Sequence, residues 1–162
     1  MNITYRQYTE NDQEIFFSLN QKLGTYVKGI DSLHRIQNNS GYFELSVQET
    51  LENVAKYNGK ILFAEIDNQI IGMICGVIWE QSEKNKLEIG EHTLGEILDL
   101  YVDDNYRGQD IGTELLSKME NHFKDNGCDS MWVGVFAENS GARNAYKKFG
   151  FNEREVGMLK EI

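Results

Sequence analysis

The stretch Tyr106-Arg107-Gly108-Gln109-Asp110-Ile111-Gly112 has the composition of a loop that can hold phosphate. Its successive backbone N–H groups lie where a helix with apolar Ile111, Leu115, Met119 and Phe123 begins, which makes it a candidate anion cradle. A diphosphate is the natural guest. Metal chemistry is not expected, because His34, His92 and His122 are scattered without ligand spacing.

The elements around this loop are a strand before it, a helix after it, then a second strand and a short helix. Gly95 to Val102 and Ser130 to Ala137 read as the strands, and the helix at Ile111 connects them, so they should run parallel. Upstream, Ile3 to Tyr8 reads as a strand, and Thr9 with Asp12 opens a helix whose Ile15, Phe16, Leu19 and Leu23 share one face. Gly24, Gly29 and Gly41 break the stretch from 24 to 45, where Leu33 and Ile36 hint at a helical turn; a pocket-shaping lid role is expected for it. Ser46-Val47-Gln48-Glu49 reads as a capping box opening a helix that stops near Asn58-Gly59. Lys60 to Ile66 and Ile70 to Trp79 form a hairpin about Asp67-Asn68-Gln69, and the polar stretch from Gln81 to Thr93 reads as an exposed loop. The expected fold is α/β: a single mixed, mostly antiparallel twisted sheet with flanking helices and a parallel strand-helix-strand crossover.

Composition narrows the function. At 162 residues the chain fits one domain that buries its own core. A net charge of −10, from 16 basic and 26 acidic residues, argues against nucleic-acid binding and suits a cationic substrate. Cys75 and Cys128 read as buried small hydrophobes in a reduced, cytoplasmic setting. The longest apolar run, Ile70 to Trp79, is too short to span a bilayer, so no membrane partner is expected.

Residues 95 to 151 resemble the acetyl-CoA-binding half of the GNAT superfamily of N-acetyltransferases. Leu100-Tyr101-Val102 precedes Arg107-Gly108-Gln109-Asp110-Ile111-Gly112 as a Leu-Tyr-Val strand precedes the family's Q/R-x-x-G-x-G/A signature. Downstream, Asn139, Ala142, Tyr146 and Gly150-Phe151 follow the family's second motif. The resemblance implies one GNAT-like domain over 1–162, with 1–94 as the acceptor-side half and 95–151 as the acetyl-CoA-binding half. It implies acetyl-CoA as cosubstrate and direct attack by a primary amine without a covalent enzyme intermediate. The implied cofactor contacts are Leu100, Tyr101 and Val102 on the strand, Arg107, Gly108, Gln109, Asp110, Ile111, Gly112 and Thr113 in the loop, and Asn139 and Tyr146. Tyr146 matches the family's general acid for the leaving thiolate.

Asp110 stands where the signature has its first glycine, and Asp104 where many members have proline. A carboxylate at the mouth of an anion site costs on the order of 1 kcal/mol in affinity, unless it caps the helix with its side chain turned away. The cap is the favoured reading; under it Asp110→Gly changes cofactor affinity by less than about threefold. For the base that accepts the amine's proton, Glu96 and Asp99 are the candidates; their odd spacing puts them on opposite faces, so only one points into the pocket, and Glu96 is slightly preferred. The rival function is a non-catalytic acyl-CoA-binding sensor or regulatory module. A nucleotide-binding loop is disfavoured by the lack of Gly-Lys-Ser/Thr. The acceptor is a small-molecule or peptide amine, of cationic character if the acidity is used for steering, and a homodimer accords with the habit of the resembled family.

Overall fold

Lys60–Ile66 and Gln69–Trp79 are apolar on both faces, the pattern of strands covered from both sides. In the computed structural model, which describes residues 2–162, they form β2 and β3 at the middle of a mixed sheet. β1 is Thr4–Gln7, β4 Leu94–Val102 and β5 Ser130–Val133, and the order is β1-β2-β3-β4-β5. All neighbours are antiparallel except β4 and β5. The β2–β3 hairpin turns on Asp67 (φ 49°) and Asn68 (φ 63°), both left-handed, as a two-residue turn that matches strand twist requires.

Helices α1 (Gln13–Ile30) and α2 (Tyr42–Lys56) cover one face, burying Phe16, Leu19 and Val47 against Ile61, Phe63, Met73 and Cys75. A short α3 (Glu83–Ile89) lies between β3 and β4, so the segment from 81 to 93 is not wholly loop; Ser82 caps it by accepting the Asn85 amide. Helices α4 (Ile111–Asp125) and α5 (Ser140–Phe149) cover the other face with Ile111, Leu115, Met119, Phe123 and Tyr146. Gly95 lets α4 seat closely, because a Cβ there would lie 2.5 Å from the Phe123 ring. That seating fixes where the loop before α4 must be.

Three further elements differ from the sequence reading. α1 runs through Gly24 and Gly29; Gly24 is a packing position, where a Cβ would meet the Phe43 ring of α2 at 2.5 Å. The same packing draws Phe43 into helix, so α2 starts at Tyr42 after Gly41 and Ser46 lies within it, not at its cap. β5 ends at Val133, and residues 134–137 are exposed. The entry to α1 is fixed by one carboxylate: Asp12 accepts from both Arg6 terminal nitrogens (2.8 and 2.9 Å) and from the Thr9 amide (2.7 Å) and hydroxyl (2.8 Å). These donors hold its pKa well below the usual carboxylate range, the Arg6 bonds contributing most. Among the described residues, no helix is long and apolar enough to cross a membrane.

Candidate active site

β4 and β5 are paired only from Leu94↔Ser130 to Ile97↔Val133. β4 continues to Val102 while β5 stops, so the strands part and the upper half of β4 has no partner on that side. Leu100 and Val102 pack toward α4, and Tyr101 toward α1. Tyr101, Arg107 and Tyr26 line a cleft of about 460 Å³ beside α1.

At the end of β4 the chain makes a short 3₁₀ turn, Asp104–Tyr106, and enters the loop. Gly108 has φ 76° and Asp110 φ 60°, and α4 starts at Ile111. The first helical bond here runs from the Glu114 amide to the Asp110 carbonyl, 2.9 Å. Among the described residues none accepts from the amides of Gly108, Gln109, Asp110, Ile111, Gly112 or Thr113. Six consecutive free donors at a helix N-terminus are an arrangement able to receive an anion. Asp110 makes no side-chain cap, against the expectation. Its left-handed backbone supplies a different reason for the signature's glycine: aspartate tolerates that conformation at a cost glycine avoids. The Arg107 guanidinium is turned back, bonded to Asp104 (2.6 Å) and the Val102 carbonyl (3.0 Å) and lying 5.1 Å above the Tyr26 ring. Gln109 and Thr113 are exposed.

Asn139 caps α5, accepting the Ala142 amide (3.1 Å), and also accepts the Tyr26 hydroxyl (3.3 Å). The neighbouring Glu138 accepts from Ser32 (2.6 Å), so the segment between α1 and α2 is tied to the far side of the opening. Asp31 organises that segment by accepting the amides of Leu33, Arg35 and Ile36.

Tyr146 is buried beside Phe151, and its hydroxyl has no partner among the described residues. Burial first, and the charge of Asp99 second, push its pKa up to about 12. Asp99 has no hydrogen bond or ion pair among the described residues, and desolvation raises its carboxyl to about 6. Glu96 accepts from the Trp79 indole N–H.

The register corrects the expectation that Glu96 and Asp99 face opposite ways. Asp99 pairs with Cys75 and Glu96 with Val77, two residues apart on β3, while β4 spends three residues over the same distance, leaving Leu98 as a bulge. The extra residue cancels the odd spacing, and both carboxylates lie on the face of α1 and α2. Neither the bulge nor the roles of Trp79 and Tyr26 were read from the sequence. A tryptophan ending an apolar strand was the one available signal, since its N–H needs an acceptor. Among the described residues, no cluster of His, Cys, Asp or Glu is placed to hold a metal ion.

A run of free amides thus follows directly on a strand that is open along one side. The model of the acetyltransferase (GNAT) family matches residues 27–151. The chain belongs to that family. Among GNAT relatives, an uncharacterised N-acetyltransferase of Methanocaldococcus jannaschii is 35% identical over 103 residues, 60% of this chain and 42% of the relative. An N-alpha-acetyltransferase of Sulfurisphaera tokodaii is 32% identical over 111 residues, 65% of this chain and 64% of the relative. The matched stretches thus span less than two thirds of either relative. In fold, the chain is similar to the crystal structure of a predicted acetyltransferase from Clostridium acetobutylicum with acetyl-CoA (TM-score 0.75, 22% identity, 99% of this chain and 96% of that one).

Proposed function

We propose that this protein transfers an acetyl group from acetyl-CoA to a primary amine in the opening between β4 and β5. The observation that carries this reading is the upper half of β4, unpaired beyond Ile97 and leading directly into six free amides. Asp99 and Tyr146 flank the same opening. The amides of residues 108–113 would hold the diphosphate, and the free backbone groups of Leu100–Val102 would bond the pantetheine arm. Acetyl-CoA supplies an acyl group activated as a thioester; the amine nitrogen bonds to the carbonyl carbon and the C–S bond breaks.

Asp99 is the better base. At about 6 its carboxyl is ionised at neutral pH yet poised to accept a proton, and it has no competing donor. Glu96, the residue preferred from sequence, is already engaged by Trp79. Tyr146 acts through a hydrogen bond. A phenol at about 12 gives its proton to a thiolate of pKa about 8.5 only at a cost of roughly 5 kcal/mol, so it stabilises the leaving sulfur while the proton held by Asp99 returns to it.

The test is free-thiol release from acetyl-CoA across a panel of amines, with cofactor binding measured in parallel and Tyr146→Phe as the control. Amine-dependent release that falls about tenfold in the variant is expected. Tight binding with no release for any amine would favour a sensor module instead.

A further inference from the structure

The stretch from Gly24 to Gly41 is positioned without burying itself in either core. Its Tyr26, Val27, Ile30, Leu33 and Ile36 belong to neither hydrophobic cluster, and Leu33 is exposed. Polar contacts shape it instead. Lys28 donates to the Gln37 carbonyl (2.8 Å), Asn38 to the Gly24 carbonyl (3.1 Å), and Asp31 gathers the amides of Leu33, Arg35 and Ile36. Those bonds are internal to the stretch. Two others, from Tyr26 to Asn139 and from Ser32 to Glu138, tie it across to the start of α5. A segment with few buried apolar contacts opens locally at low cost.

Tyr26 completes a ring around the opening. From the last pair of β4 and β5, Ile97 with Val133, one wall runs up β4 to Val102, whose carbonyl accepts from Arg107 (3.0 Å). The Arg107 guanidinium lies 5.1 Å from the centre of the Tyr26 ring, and the Tyr26 hydroxyl donates to Asn139 (3.3 Å). Residues 134–138 lead from there back to Val133. Ser32 adds a second tie on the same side by donating to Glu138 (2.6 Å). A chain laid between β4 and β5 therefore passes inside a closed perimeter, and its way in from the side leads past Tyr26.

We propose, resting on the acetyl-CoA reading above, that Tyr26 gates this opening: its bond to Asn139 parts to admit the cofactor's arm from the side and re-forms over it. The bond is the weak link of the ring. At 3.3 Å it is longer than most hydroxyl bonds, and the apolar residues of the stretch that bears it stand outside both cores. It lies on the perimeter, so it forms over the empty and the filled opening alike. Removing it then raises the rates of entry and exit by the same factor and leaves affinity unchanged.

The test is stopped-flow binding of acetyl-CoA to the full chain, followed by tryptophan fluorescence, in wild type, Tyr26→Phe, Ser32→Ala and the double variant. Tyr26→Phe keeps the ring under Arg107 and loses only the bond across the opening. Association and dissociation rates should both rise by about threefold in each single variant and about tenfold in the double, with Kd unchanged within about twofold. Unchanged rates, or a weaker Kd through faster dissociation alone, which is the mark of a direct contact, overturn the gate and leave acetyl transfer standing. Faster exchange in both directions with no acetylation of any amine upholds the gate and overturns acetyl transfer. Absence of acetyl-CoA binding to wild type overturns both.

Discussion

The two halves of β4 have different surroundings. Leu94–Ile97 is bonded to β3 on one side and β5 on the other, with Gly95 pressed against Phe123. Beyond the Leu98 bulge, Asp99–Val102 is bonded to β3 alone, and its other side opens between the strands. The lower half is built for stability and the upper half leaves backbone groups and a carboxylate without partners. Substitutions in the two halves should therefore fail in opposite ways.

The largest effect is expected from Asp99→Asn, which should lower kcat by about 100-fold or more while leaving the fold intact. In wild type, kcat should rise as pH increases through about 6 and then level, because below that value Asp99 holds a proton and cannot accept another. The variant should lack this limb. Its stability should move the other way. A carboxyl whose folded pKa lies above its unfolded value of about 3.9 makes the folded state bind more protons, so its contribution falls as pH rises from about 4 to 6. At pH 7 Asp99→Asn should be more stable than wild type by about 1 kcal/mol in urea unfolding, after allowance for partial solvation.

Gly95→Ala probes the closed half. A methyl group 2.5 Å from the Phe123 ring forces overpacking, with an expected loss of about 1 to 3 kcal/mol by the same measurement. Tyr146→Phe should reduce kcat by about tenfold with acetyl-CoA affinity nearly unchanged, because the hydroxyl is proposed to stabilise the sulfur only as charge develops on it. The smallest effect is at Asp110. It makes no cap, so Asp110→Gly removes a carboxylate beside the proposed phosphate site and should tighten acetyl-CoA by about fivefold in calorimetry.

The loop and helix after β4 were legible in the sequence because their information is local. A glycine-bearing loop, a helix with one apolar face and the strand before it are read from neighbouring residues, and they place residues 107–113 correctly at the start of α4. The faces taken by Glu96 and Asp99 were less legible because they depend on pairing. The bulge at Leu98 exists only in the register with β3, and no spacing within β4 announces it, so Glu96 and Asp99 were assigned to opposite faces. Packing overrode local signals elsewhere too. Ser46 and Glu49 have the form of a capping box, yet Phe43 packing on Gly24 begins α2 a turn earlier. The early end of β5 at Val133, which creates the opening, is likewise invisible in an apolar run that continues through Val135 and Phe136.

The central claim, that the upper half of β4 and the loop after it form the acetyl-CoA site, is tested most directly by titrating the ¹⁵N-labelled protein with acetyl-CoA and following its backbone amide resonances. Shifts concentrated at residues 98–102 and 108–113, with 94–97 nearly unmoved, are the predicted result. Shifts confined to the cleft beside α1, or none at saturating acetyl-CoA, would contradict it.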